Sequence, residues 1–360
     1  MPPNWPSPRR RRAPTTTRAS NTARTWPRCS CVARLNKPAP DPASRFPPLA
    51  SPVVRGWPLL RNALLVAYVG AFIWSFNHNG LPIARMAVLG WVAAAFVIGN
   101  MGKSWGSQTR MVRDLALYGA MWISYDYSRG IADTLGFPLQ VQTPYNLDRI
   151  LFFGNDPIRW MQDQFLRSDV RWYDVLFSIV YFTHFFLPVA ASVYLWIRWR
   201  DEWLRYIRRF ATVLFVGVAT FVVLPTAPPW MAASEKYSYQ ITEPYARTTG
   251  RGWTELGLET VTNVLIRGRQ WANPTAAFPS LHAAFALFVV MFFWDRFPRR
   301  WMRWAAASFP ILMALSLVYF AEHYVVDVLA GWLLVVGSFW FWGRWERRRM
   351  PEAEREPVLT

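Results

Sequence analysis

The sequence predicts an all-α protein: a polytopic transmembrane helix bundle of about eight spans, preceded by a disordered N-terminal tail. Three observations carry that expectation. The 360-residue chain is 53% hydrophobic, and its apolar residues are gathered into runs of about 20 with almost no charge, the length a helix needs to cross the roughly 30 Å hydrocarbon core of a bilayer. Arginines stand between these runs rather than along one face. Residues 1–55 are rich in Pro, Arg, Ser and Thr, with the block Arg9–Arg12, and such a segment cannot bury enough apolar area to offset the entropy of ordering.

In chain order, hydropathy places spans near 58–77, 83–101, 112–132, 173–198, 206–224, 281–295, 302–320 and 324–343. The third is the weakest, because Asp126 and Arg129 interrupt its apolar run. The expected organisation is a basic tail over 1–55, a membrane-embedded domain over 56–345 and a second tail over 346–360. The first tail lacks the apolar core and small-residue cleavage site of a signal peptide. Both cysteines, Cys29 and Cys31, fall inside it, and a pair so close in sequence makes neither a disulfide framework nor a metal site.

Orientation follows from the short loops, since Arg and Lys near helix ends are retained in the cytoplasm. Lys103, Arg110 and Arg113 lie between spans two and three, and Arg198, Arg200, Arg205, Arg208 and Arg209 between four and five. Arg296, Arg299, Arg300 and Arg303 join six to seven, and Arg344 with Arg347–Arg349 follows eight. All four clusters fall on one side, so both termini are expected in the cytoplasm. The net charge of +18 is thereby assigned to topology, not to a nucleic-acid face. Two longer segments are left outside. The first, about 133–172, contains an amphipathic stretch from Asn146 to Gln162 that reads as an interfacial helix, with Asp148 and Arg149 on its solvated face. The second, 225–280, is polar and rich in turn formers.

Two of the four histidines mark the expected site. Helix six runs inward from His282, the basic loop turns the chain, and helix seven returns to end just before His323. Residues 41 positions apart are thus brought to one membrane face. Asp327 follows His323 by four positions, on the same face of a helix that starts there, so a carboxylate can hold one ring nitrogen and leave the other to attack. Ser280 is a natural N-cap for helix six, and a helix start is a seat for phosphate. His184 lies inside span four, where an ionisable group is a candidate for lining a substrate pocket; His78 reads as a loop residue.

Pro279-Ser280-Leu281-His282, followed by Glu322-His323-Tyr324-Val325-Val326-Asp327 and then Gly331, resembles two signature motifs of the type-2 phosphatidic acid phosphatase superfamily. Its phosphotransferase branch, the inositol phosphorylceramide and sphingomyelin synthases, is the more similar. The turn Pro225-Thr226-Ala227-Pro228-Pro229-Trp230 is similar to that branch as well, and the resemblance covers roughly 145–345. It implies that His323 is a nucleophile forming a phosphohistidine, that Asp327 orients it and that His282 protonates the leaving oxygen. It implies no metal and no cofactor. The partners it implies are the bilayer and a lipid phosphate, with headgroup transfer, for example of inositol phosphate, favoured over hydrolysis at the outer leaflet.

The departures are specific. Leu281 stands where the phosphatase motif has Gly, and Leu317 follows Ser316 where it has Arg. Lys103 and Arg110 match the spacing of the first motif by chance and on the wrong side. Phosphate contacts are therefore expected from Arg267 and Arg269, then from Lys236, Arg247 and Arg251. The competing class is a non-catalytic transporter or lipid-binding protein, which matched helix breaks at mid-membrane would favour. Pro188 and Pro310 are the prolines well inside the spans, and they do not form such a pair. Nothing in the sequence sets an oligomeric state.

Overall fold

A computed structural model describes residues 58–79, 85–130, 135–234, 244–259, 261–263 and 273–349. The described residues are helical, apart from turns and two isolated bridges in which Thr226 pairs with Gln140 and with Ala276. The tail over 1–55 lies outside them.

Each of the eight predicted spans falls on helix. They correspond to α1 (Pro58–Asn79), α2 (Arg85–Asn100) and α3 (Trp105–Gly130), and, beyond two short helices, to α6 (Trp172–Phe182) with α7 (Leu187–Arg198) and α8 (Arg200–Val223). The last three, which we number α11 (Leu281–Phe293), α12 (Arg300–Tyr319) and α13 (Val325–Arg349), follow the second polar segment. The structure does not confirm eight spans among the described residues. Among the described residues α1, α8, α12 and α13 are long and apolar enough to cross a bilayer, and α6 with α7 makes a fifth if that bent pair is one span. The 13 residues of α11 reach about 20 Å at 1.5 Å per residue, short of the hydrocarbon thickness, and the 16 of α2 fall short as well. His78, expected in a loop, sits in the last turn of α1, where Nδ1 is 2.9 Å from the Trp74 carbonyl.

Large side chains hold the bundle together in two regions. Trp203, Tyr206, Phe210 and Leu214 of α8 are buried against Phe285 and Phe288 of α11 and Val335 of α13. Ile158, Tyr181, Trp253, Met313, Tyr319 and Phe320 form the second region, at the end where α12 stops. Some of the arginines read as topology markers also make internal ties. Arg209 donates to both oxygens of Glu346 at 3.0 and 2.8 Å, and Arg200 donates to both oxygens of the fully buried Asp114 at 2.6 and 2.5 Å.

The polar segments cover the second region. In place of one interfacial helix the chain forms two, α4 (Gln142–Leu151) and α5 (Pro157–Phe165). The turn between them uses positive φ at Phe153 and Gly154, and Asp156 starts α5 by accepting the N–H groups of Ile158 and Arg159 at 3.0 Å each. Two further pieces, α9 (Pro229–Ala232) and α10 (Arg251–Glu255), come from the second segment. Thr226 ties the segments together: its N–H donates to the Thr275 carbonyl at 2.7 Å and its carbonyl accepts from Ala277 at 3.2 Å, while Gln140 donates to Pro225 at 2.7 Å.

Candidate active site

α12 ends in a tight turn. The N–H groups of Glu322 and His323 both donate to the Leu317 carbonyl, at 3.0 and 3.3 Å, and Ala321, just before Glu322, takes φ 56°. That left-handed conformation costs an alanine roughly 1–2 kcal/mol; the Ala321 carbonyl is held by the Trp230 N–H at 3.1 Å. The turn delivers His323 to the head of α13, where it is 4% exposed.

The first turn of α13 has backbone donors with no partner inside the helix. Asp327 Oδ2 accepts the Tyr324 N–H at 3.0 Å. The carboxylate of Asp148, from α4, takes the next two, Val325 and Val326, at 2.8 Å each. Asp148 therefore does not lie on a solvated face as its sequence suggests: it is 1% exposed and caps the helix that follows His323. Its partners lie 177 and 178 residues away, so no local pattern announces them. Burial pushes its carboxyl from the usual 3.8 up to about 7; the two backbone donors oppose that rise, and Asp327 and Asp156 add to it.

His323 Nδ1 lies 3.4 Å from Asp327 Oδ2, and His323 Nε2 lies 3.0 Å from His282 Nδ1. A carboxylate only accepts, so Nδ1 of His323 carries a proton and Nε2 presents its lone pair to a proton on His282. The two rings and the carboxylate form one chain. Ser280 is fully buried, accepts the Ala283 N–H at 3.3 Å as the N-cap of α11, and donates its own N–H to the Asp327 carbonyl at 2.9 Å. Here α11 and α13 come so close that a Cβ on Gly331 would lie 2.3 Å from the Ser280 carbonyl oxygen.

His184 joins the pair. It sits in a 3-10 turn, Thr183–Phe185, between α6 and α7, with its ring centroid 4.2 Å from that of His282 at 78°. Nδ1 of His184 donates to the Tyr181 carbonyl, and the Tyr181 ring stacks on His282 at 5.6 Å and 20°.

Of the expected phosphate contacts, Lys236, Arg267 and Arg269 lie outside the described residues. Arg251 is committed elsewhere: it donates to the carbonyls of Arg167 and Asp169 at 2.5 Å each and pairs with Asp174 at 3.8 Å. Arg247 is beside the site, donating to both oxygens of Glu322, the residue before His323, at 2.7 and 3.0 Å, with its guanidinium 4.1 Å above the Trp230 ring. Leu317, where the resemblance leads one to expect arginine, is fully buried in the core. Among the described residues no group of His, Cys, Asp or Glu is arranged to hold a metal ion.

Comparison with known proteins agrees with the motifs. A family model described as the PAP2 superfamily matches residues 145–341. The phosphoinositol dihydroceramide synthase of Bacteroides thetaiotaomicron is 30% identical over 216 residues, which cover 58% of this chain and 69% of that protein. The inositol phosphorylceramide synthase catalytic subunit aur1 of Schizosaccharomyces pombe is 25% identical over 260 residues, 70% of this chain and 58% of that one. No solved structure matches.

Two predictions test this geometry through stability. Gly331→Ala is expected to lower the unfolding temperature in detergent, by overpacking worth about 1–3 kcal/mol, whereas Gly337→Ala, whose Cβ would meet nothing within 4 Å, is not. The Asp148 carboxyl gives a pH signature. Between 3.8 and about 7 the folded protein holds a proton that the unfolded chain has released, so this group makes stability fall as pH rises through that window, by at most about 1.4 kcal/mol per pH unit. Thermal unfolding at pH 5, 6 and 7 is expected to show this component in the wild type and not in Asp148→Asn; equal slopes would remove Asp148 from the account.

Proposed function

The chain belongs to the PAP2 superfamily, and on that premise we propose that it is a membrane lipid phosphotransferase that moves a phosphate-containing headgroup through a phosphohistidine on His323. The observation that carries this reading is the chain His282–His323–Asp327 at the junction of three helices, with contacts of 3.0 and 3.4 Å.

The chemistry proceeds in two displacements. With His282 in its imidazolium form, the 3.0 Å contact is a hydrogen bond that occupies the nucleophile. A phosphodiester entering between the rings breaks it: Nε2 of His323 attacks phosphorus, the bond from phosphorus to the lipid oxygen breaks, and the proton on His282 passes to that oxygen. Asp327 offsets the positive charge that the substituted His323 ring acquires. An incoming alcohol then gives its proton to His282, now neutral, and its oxygen displaces His323 from phosphorus. Water in place of the alcohol gives hydrolysis.

Arg247 supports the reading by supplying a guanidinium held on Glu322, the residue before His323, in a chain where the resemblance leaves an arginine missing. A planar fork suits the two non-bridging oxygens of a phosphodiester. The relatives named as phosphoinositol dihydroceramide synthase and inositol phosphorylceramide synthase favour an inositol phosphate headgroup, a ceramide-type acceptor and transfer over hydrolysis. An active site facing outside agrees with helix direction, since α8 and α12 begin and α13 ends in arginines, while the histidine pair lies where α11 and α13 begin. Among the described residues the one bent helix pair, α6 with α7, has no counterpart in α12 around Pro310, which disfavours a transporter built from matched halves.

Purified wild type and His323→Ala, each given a panel of phospholipids and polyprenyl phosphates with and without a ceramide acceptor, test the reading. New lipid product without free phosphate, lowered about a thousandfold or more in the variant, is expected; equal turnover by both would sink it. Arg247→Lys is expected to lower kcat/KM about tenfold or more, because a point charge replaces a bidentate fork.

A further inference from the structure

α6 and α7 together have the length of one span, yet the helix tightens at Thr183–Phe185 and resumes at Leu187 bent by 49°. Pro188, in the first turn of α7, has no N–H to return to the preceding turn. Irregular backbone at membrane depth is tolerated where it is buried in protein or lines a polar cavity. This break lies at the histidine pair, because the His184 ring meets His282 at 4.2 Å, and the next two residues, Phe185 and Phe186, are 40% and 44% exposed on the bundle's apolar wall.

In a double displacement the departing lipid oxygen and the incoming one occupy the same position, opposite His323 and beside His282. Both belong to molecules with alkyl chains, so that position needs an opening toward lipid. Beside His184 and His282, the exposed Phe185 and Phe186 of the α6–α7 break present an apolar surface for such a chain. The Tyr181 carbonyl can only accept, so Nδ1 of His184 holds the proton and Nε2 of the neutral ring is left as an acceptor. Such a ring repels no alcohol and offers nothing to an anionic headgroup, whose cation lies with Arg247 on another segment. The reacting hydroxyl cannot be its partner, since that hydroxyl's single proton goes to His282.

We propose that the α6–α7 break is the acceptor-lipid subsite, where His184 Nε2 accepts a hydrogen bond from a second donor, an amide N–H or a further hydroxyl, next to the reacting hydroxyl of a long-chain alcohol. The chain of that lipid lies over Phe185 and Phe186. His184 thereby selects acceptors with two neighbouring donors and seats an alcohol where water would otherwise attack. The subsite rests on the transferase reading above.

The test compares two acceptors of equal chain length in mixed micelles, a simple long-chain alcohol and one carrying an added amide N–H beside the hydroxyl, with wild type, His184→Phe, His184→Gln and His323→Ala. The wild type is expected to favour the two-donor acceptor by about tenfold in kcat/KM, in line with one buried hydrogen bond. His184→Phe should bring that ratio near one, and His184→Gln, whose amide oxygen still accepts, should restore part of it. A wild type without preference, which needs no variant to fold, overturns the subsite, as does an unchanged ratio in His184→Phe. Transfer that His323→Ala leaves intact, or that no acceptor elicits, overturns the transferase reading instead.

Discussion

At the head of α13 three of the backbone N–H groups that helix geometry leaves without partners are met by carboxylates, and the arrangement of the site depends on where they are satisfied. Buried donors without acceptors cost about 1–3 kcal/mol each, so the helix can begin at this depth only if carboxylates are brought to it. Asp327 supplies one from within the same turn and Asp148 supplies two from α4. Asp327 thus has two tasks with one oxygen: Oδ2 holds the Tyr324 N–H and also faces His323 Nδ1. Fixing the helix start and fixing the imidazole are the same event. That sharing gives a physical reason for the length of the His323–Asp327 contact, 3.4 Å, since the oxygen is placed first by the shorter bond to the backbone.

A second constraint is the approach of α11 to α13. The Ser280 N–H reaches the Asp327 carbonyl at 2.9 Å, and the helices can come that near only because position 331 has no side chain. The same closeness puts His282, two residues after Ser280, within 3.0 Å of His323. Aromatic packing of Tyr206 and Phe210 on Phe288 then carries the alignment of α11 along the bundle, with ring centroids 5.0 and 5.3 Å apart. At the far end Glu346 is clamped by Arg209 and Arg208, so α13 is fixed at both ends, by carboxylates from α4 and its own first turn at one and by arginines from α8 at the other.

Sequence made some of this legible and hid the rest for identifiable reasons. The eight apolar runs each marked a stretch of helix, with α6 and α7 read as one, because the period and length of such runs are local properties. They did not register that α11 is only 13 residues long, because hydropathy alone does not set where a helix ends. The meeting of His282 and His323 was legible because helix direction and loop charge place both at one end of the bundle. Asp148 was not, since a charged residue on an amphipathic helix carries the same local pattern whether it faces water or caps a distant helix. The division of the interfacial stretch into α4 and α5 was written in Gly154, Asp156 and Pro157, a turn glycine followed by an N-cap and a proline at the first helical position.

The replacement of arginine by Leu317 bears on how the proposed reaction handles charge. An arginine at 317 would have to enter a core where Leu317 is fully buried and its carbonyl already holds two N–H groups of the His323 turn. A lone guanidinium there would be a buried charge, which is expensive without a partner. In the proposed reaction the cation is Arg247, which lies on a separate segment, balanced by Glu322 and stacked on Trp230. The pair is neutral without substrate, and its guanidinium keeps a quarter of its side chain accessible. In the proposed reaction an arriving phosphodiester competes with Glu322 for that guanidinium, so the charge needed in the transition state need not be stored unpaired beforehand. Glu322 also precedes His323 directly, in the turn in which Ala321 is held at a left-handed φ. In the proposed mechanism, phosphate capture by Arg247 and separation of the histidine rings are therefore linked through one short segment, from Ala321 to His323.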